Sequence, residues 1–274
     1  MRGFVRENPT IQKKLICSVY HIPRSTLSYK PKKVITDTIL KIKIQLLHTF
    51  NPYYGYRRCS YELEMNQKKV LRIVQMYLLY GKTRKRKFCK PWDKNLPNMW
   101  VQNEKKTLEI QKIHQVWNSD FTHIYYKNTE LFLATVLDEY SKQIVWYKVW
   151  FHHSKELIIQ TVHHAVERSK TTPVILHSDQ GSEYRSYEYF ETLKRYNIWA
   201  SMSRKSSPWE NASQESFYWK LKFELWNLNR FKTVEEVIEA IHLWIYYYNN
   251  HRIHTSLKMT PKQFESLHSN GAKN

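Results

Sequence analysis

The chain has 274 residues, 42% apolar and 25% charged, enough for one large domain with a buried core plus a smaller appendage. Its net charge is +20, concentrated in residues 1–110, which hold 24 Lys/Arg against 7 Asp/Glu. A polyanion is therefore the expected partner, nucleic acid first, because each neutralised phosphate releases a counterion. No stretch reaches the roughly 18 apolar residues of a membrane span, and Met1 to Lys14 does not resemble a signal peptide, so an intracellular protein without a membrane role is expected.

Cys17, Cys59 and Cys89 are odd in number and widely spaced, so free thiols are expected rather than a disulfide framework or a four-ligand zinc site. Residues 1–30 read as helical up to the break at His21-Ile22-Pro23. A second helix is expected over 34–50, with Ile35, Ile39, Ile42, Leu46 and Leu47 at helical spacing and Asn51-Pro52 ending it. Residues 53–80 read as two short helices around Met65-Asn66. They carry Arg57, Arg58, Lys68, Lys69 and Arg72, as a helix-turn-helix docked on DNA would. The run from Lys82 includes Arg84, Lys85, Arg86 and Lys87. It serves either as a solvated linker or as an arm tracking phosphates, and the two are compatible. The expected division is a helical basic DNA-binding region over 1–90, a linker over 91–112 and a second domain over 113–274.

From residue 113 the pattern changes. Val116 to Tyr126, Leu131 to Leu137 and Gln143 to Trp150 read as strands joined by short turns, an antiparallel meander. A helix follows over Ser154 to Lys170, then a strand over Pro173 to Leu176, a helix over Ser186 to Tyr196 and a strand over Asn197 to Met202. Residues 209–227 and 233–250 read as long helices. The implied fold is α/β: a mixed five-stranded sheet covered by helices on both faces.

Three acids stand where phosphodiester chemistry needs them. Asp120 lies inside the first strand, Asp179 follows the fourth, and Glu215 sits on the helix beginning near Pro208. A charge inside an apolar strand is costly unless compensated, so Asp120 is the most informative. Divalent ions of the Mg²⁺ class want carboxylate oxygens, and a pair of them clamps the attacking and leaving oxygens of a phosphodiester displacement. Asp138 also ends a strand and reads as structural, but spacing alone does not choose between it and Asp179.

The strings Trp117-x-x-Asp120-x-Thr122, His177-Ser178-Asp179-x-Gly181-Ser182-x-Tyr184, Asn211-Ala212-x-x-Glu215-Ser216-Phe217, Leu221-Lys222-x-Glu224 and Tyr248-Asn249-x-x-Arg252-x-His254 occur in this order, with 35 residues between Asp179 and Glu215. Together they resemble the second-frame transposases of the IS-three type of bacterial insertion sequences, relatives of retroviral integrases. Tyr54-Gly55-Tyr56-Arg57-Arg58 and Lys69-Val70-x-Arg72 resemble the helical region of that family. The resemblance implies a ribonuclease-H-like integrase core, with Asp120, Asp179 and Glu215 as its acidic triad and metal ligands. It also implies two Mg²⁺ or Mn²⁺ ions, DNA ends and target DNA as substrates, and a homo-oligomer assembled on DNA. The family often joins an upstream-frame helix-turn-helix protein by frameshift fusion, and the expected location is the bacterial cytoplasm, on the nucleoid when bound to DNA. Glu210 and Glu183 depart from the family, which usually has Asp and often Gln there, and the extra negative charge of Glu183 is expected to change DNA contact or metal affinity near the site.

Lys222 is seven residues beyond Glu215, on roughly the same helix face, and is a candidate phosphate contact along with Arg204 and Lys205. His177 is read as either a phosphate-orienting or a hydrogen-bonded strand histidine. Arg252 and His254 are read as either DNA contacts or a helix end packed on the core. Two rivals remain open: a non-catalytic DNA-binding regulator, which leaves Asp120 without a purpose, and a nuclease of the same fold, which does not account for the basic N-terminal region.

Overall fold

The computed structural model describes residues 17–19, 21, 23, 32–83, 101–204, 207–225 and 227–269. The chain divides into two compact units, Met1–Thr83 and Arg84–Asn274.

The first unit contains α1 (Lys32–Phe50), α2 (Tyr56–Glu62) and α3 (Gln67–Met76). The expected helix pair around Met65-Asn66 is present, and Asn66 caps α3 by accepting from the Lys68 amide at 2.8 Å. The buried face of α1 is not the expected stripe. Leu40 and Ile44 are buried, whereas Ile39, Ile42 and Leu46 are exposed. Asp37 shares the buried face because the Arg72 guanidinium grips it through two bonds, of 3.0 and 2.5 Å. A paired carboxylate thus takes a position that a hydrophobic count alone would not assign to the core. Gly81 packs where a Cβ would meet the Tyr54 carbonyl oxygen at 2.2 Å, so only glycine fits.

The second unit contains one five-stranded sheet in the order β3-β2-β1-β4-β5. Its strands are β1 (Val116–Tyr126), β2 (Thr129–Asp138), β3 (Ile144–Trp150), β4 (Ile175–Ser178) and β5 (Trp199–Met202). The first three form the expected antiparallel meander, and β4 and β5 add parallel to β1. β2 is apolar along most of its length because both its faces are covered. Leu131, Leu133 and Leu137 face the cluster built with Phe217, Ile241 and Tyr248. Phe132, Ala134 and Val136 face the cluster built with Leu157, Val162 and Leu193. These clusters seat α6 (Ala212–Glu224) and α7 (Val234–Asn250) on one face, and α4 (Lys155–Ser169) and α5 (Tyr187–Arg195) on the other. The helices start at side-chain caps: Ser154 for α4, Ser186 for α5 and Thr233 for α7.

Two elements differ from expectation. β4 runs two residues later than the apolar run, because His177 and Ser178 pair in the sheet despite their polarity. A further helix, α8 (Pro261–Ser269), has too few apolar residues for a periodic signal, although Pro at its first position is a helix-start residue.

Arg252 is buried and donates to Glu224 at 3.1 and 3.2 Å from Nε and at 2.6 Å from Nη2, tying the end of α6 to the segment after α7. It is a core ion pair, the helix-end role rather than a DNA contact. Arg252→Ala leaves Glu224 buried without its main cation. In urea titrations it is expected to lower the unfolding free energy by about 3–5 kcal/mol. A loss below about 1 kcal/mol would show that the pair is not a structural tie.

Candidate active site

The site begins where β1 and β4 stop pairing. Their last paired residues are Asn118 and His177. Two residues beyond these, Asp120 lies within β1 and Asp179 lies in the turn just past the end of β4, close enough for its charge to act on Asp120. Past Ser178 the chain turns away, and Asp179 Oδ1 accepts from the Gly181 amide at 2.9 Å. β1 continues alone to Tyr126 on that side.

The third acid arrives on α6, which docks through a buried polar seam. Gln214 donates from Nε2 to the carbonyls of Asn118 (2.8 Å) and Thr135 (3.2 Å). One turn later the Tyr218 hydroxyl donates to the Asp120 carbonyl at 2.6 Å and pairs with Thr135 Oγ1 at 2.7 Å. Gln214 is fully buried, so a polar group that would otherwise be costly fixes the helix on the strand that carries Asp120. Glu215, next to Gln214, is exposed and faces solvent above the same strand. Asn211, just before α6, donates from Nδ2 to Asp120 Oδ2 at 3.1 Å.

Burial pushes the Asp120 carboxyl well above its ordinary range, and the negative charges of Asp179 and Glu215 push it further, while Lys222 acts in the opposite direction. Burial, then the charge of Glu183, raises Asp179. Burial also raises Glu215. Lys222 is lowered by desolvation and held up by Asp120. Asp120 is thus within electrostatic reach of both other acids and of one cation. Among the described residues, no three His, Cys, Asp or Glu side chains stand in a ready metal-holding cluster.

The neighbouring acids are spoken for. Asp138 accepts from the Ser141 amide (2.8 Å), the Ser141 hydroxyl (2.6 Å) and the His114 amide (2.9 Å), a structural role as expected. Glu139, which the sequence reading missed, accepts from Lys105 (3.1 Å), Asn118 (2.5 Å), Lys142 (2.7 Å) and Ser213 (2.8 Å). Burial pushes it up, but Lys142 and Lys105 outweigh that and hold it down at about 2. It binds the start of α6 to β1. Its one legible signal was a charged residue at the Glu139-to-Ser141 turn. Glu210 has a structural role. It is buried and bonded to Lys106 (2.5 Å), Asn103 (2.7 Å) and the Arg204 amide (2.8 Å), so its charge is used inside the fold rather than offered to DNA. His177 is a hydrogen-bonded strand histidine. It is buried, paired with Ser201 Oγ at 2.9 Å, and lowered to about 4 by burial and by Lys105, hence neutral at pH 7.

Of the candidate DNA contacts, Arg204 and Lys222 are exposed on this unit. In the first unit Arg57 is exposed, Lys69 is half-buried, Arg58 donates to the Tyr53 carbonyl at 3.3 Å, and Arg72 is held by Asp37. Arg84, Lys85, Arg86, Lys87 and Lys205 lie outside the described residues, as do the expected helix before residue 17, Cys89 and the linker up to residue 100.

The sheet order, the flanking helices and the acids at the β1–β4 divergence define a ribonuclease-H-like integrase core. The integrase core domain family matches residues 111–208, and a second integrase core domain description matches residues 196–261. The transposase for insertion sequence element IS904 of Lactococcus lactis is 33% identical over 87% of this chain and 98% of that protein. The transposase InsK of insertion sequence element IS150 from Escherichia coli is 30% identical over 89% and 90%. The intasome of simian T-cell lymphotropic virus shares the fold, with a TM-score of 0.51, 18% identity and coverage of 81% of this chain and 74% of that one. The chain belongs to the insertion-sequence transposases of the IS-three type.

The like charges around Asp120 have a measurable consequence. A carboxyl raised in the folded state contributes stability that is present at low pH and is lost as pH rises from the ordinary carboxylate range through the raised value. Asp120→Asn removes that penalty. In chelator it is expected to melt at a higher temperature than the native protein at pH 7, with the gap closing as the buffer is acidified. Equal melting temperatures at every pH would mean that neither burial nor the neighbouring acids penalise the ionised Asp120 carboxyl.

Proposed function

We propose that this transposase cuts DNA at the ends of its insertion sequence and joins the freed 3′ ends to new DNA, with Asp120, Asp179 and Glu215 as its catalytic carboxylates. The single observation carrying this reading is the placement of Asp120, within β1 just past its pairing with β4 and beneath α6, in electrostatic reach of Asp179 and Glu215. An oxygen-only donor set of three acids suits hard divalent cations, Mg²⁺ or Mn²⁺. Two such ions, when bound, would activate the attacking oxygen and neutralise charge on the leaving one. Asp120, from within β1, and Asp179, from the turn after β4, would hold them, with exposed Glu215 of α6 as the third ligand.

The remaining work is positioning. Gln214 and Tyr218 keep α6 seated on β1, so Glu215 cannot drift away from Asp120. Lys222 takes a phosphate beside the scissile bond, and Arg204 and Lys205 steer the strand before α6. The basic region over residues 1–90, through Arg57, Arg58, Lys69 and the arm Arg84, Lys85, Arg86 and Lys87, anchors the flanking duplex by its phosphates. Because Arg72 is already paired with Asp37, its contribution is to hold α1 against α3. Two element ends must meet for strand transfer, so a homo-oligomer on DNA is the working form, with an upstream-frame helix-turn-helix protein as fusion partner. No helix among the described residues is long and apolar enough to cross a membrane, and the cytoplasm with its nucleoid is the proposed location.

Asp179→Asn tests the assignment. With labelled element-end DNA and Mn²⁺, native protein should yield both nicked and joined products. The variant should bind that DNA equally well, yet fall to about one-thousandth of native cleavage. Cleavage without joining by native protein would favour a nuclease, and undiminished cleavage by the variant would remove Asp179 from the chemistry.

A further inference from the structure

β1 runs beyond its pairing with β4, and the free stretch borders a cavity of about 210 Å³. Leu221 of α6, Leu225 just past its end and Ile241 of α7 are buried and form its apolar wall. His123 and Tyr125 of β1 stand at its mouth, their rings 19° from parallel with centroids 6.1 Å apart, and Tyr125 is 68% exposed. The cation at the mouth is Lys222, the one whose charge reaches Asp120. Neither the acidic triad nor the helix-docking seam uses this space.

We infer that the cavity receives one unpaired nucleobase of the DNA strand being processed, its phosphate held by Lys222. The proposal rests on the DNA-cutting reading of the neighbouring acids and extends it to a specific subsite. Size supports it, since the volume lies below the roughly 300–1,000 Å³ of pockets for drug-sized ligands, as a single base requires. Chemistry supports it as well. A base has apolar faces suited to aliphatic and aromatic walls, and it brings a phosphate of charge opposite to Lys222. Glu130, opposite Tyr125 on β2, is bonded to His123 Nδ1 at 2.6 Å and to the Tyr125 hydroxyl, and so ties the two rings into a rim. Stacked bases of an intact duplex cannot enter, so the subsite selects DNA whose end is frayed or already opened.

The full chain is tested with two duplexes of identical length, one fully paired and one with mismatched terminal pairs, each carrying 2-aminopurine at the end. Calcium replaces magnesium so that binding is read without cleavage. The native protein is expected to bind the mismatched duplex about tenfold more tightly and to change the 2-aminopurine emission. Leu228→Trp, which fills the cavity from its half-buried edge, should bring the two affinities within about twofold while leaving the paired duplex bound as before. Should that variant melt early, Tyr125→Ser, at an exposed position, should still shrink the preference. Equal binding of both duplexes by native protein, or a preference that survives both substitutions, overturns the subsite. Asp120→Asn separates the two readings: it should retain the preference whether or not it cleaves, so failure of the chemistry and failure of the subsite give different results.

Discussion

The parallel pairing of β1 with β4 is the constraint on which the site depends. It ends at Asn118 and His177; two residues on, Asp120 lies within β1 and Asp179 in the turn just past β4. Had the pairing run on, the carboxylates would lie in a closed sheet with no room for substrate. Had it ended earlier, no register would bring them together. Burial of Trp117 and Leu176 on one face and of Asn118 and His177 on the other pins that register, because a one-residue slip would invert every side chain.

A contrast in charge balance separates the site from the rest of the fold. Asp37 has Arg72, Glu139 has Lys105 and Lys142, Glu210 has Lys106, and Glu224 has Arg252. Asp138 is satisfied by amide and hydroxyl donors. Around Asp120 the pattern reverses: its strongest electrostatic neighbour is another carboxylate. Elsewhere the protein neutralises its buried acids, and here it gathers them. Selection for stability alone would not retain such an arrangement, and perturbed acids of this kind cluster at functional sites. The Glu139 network bears on the same region. Its bonds to Ser213 and Asn118, with the Gln214 and Tyr218 bonds, hold the start of α6 to β1, fixing the helix that carries Glu215.

What the sequence disclosed follows from where local signals are strong. The ends of β1 and the starts of α4, α5 and α7 were legible because alternation and Ser or Thr caps are local properties. The end of β4 was not, since His177 and Ser178 look like loop residues until β5 and Ser201 supply their partners. The face of α1 was misread for the same reason. Ile39, Ile42 and Leu46 make a helical stripe, yet burial follows Asp37, whose partner Arg72 lies 35 residues away. The acids themselves were conspicuous in sequence, but Glu139 was not, because its role exists only once Lys105, Lys142 and Ser213 converge on it.

The two departures from the family pattern now separate. Glu210 adds a methylene to the usual Asp, and that reach lets it meet Lys106, Asn103 and the Arg204 amide in the interior, so its charge is spent on holding the segment before α6. Glu183 stays beside the chemistry. Its carboxylate pairs with His153 Nε2 at 3.2 Å, lies close to Gly181 of the Asp179 turn, and raises the Asp179 carboxyl by its charge. A family Gln at this position would hydrogen-bond without that repulsion. Glu183 therefore makes the surroundings of Asp179 more negative, whereas Glu210 leaves them unchanged.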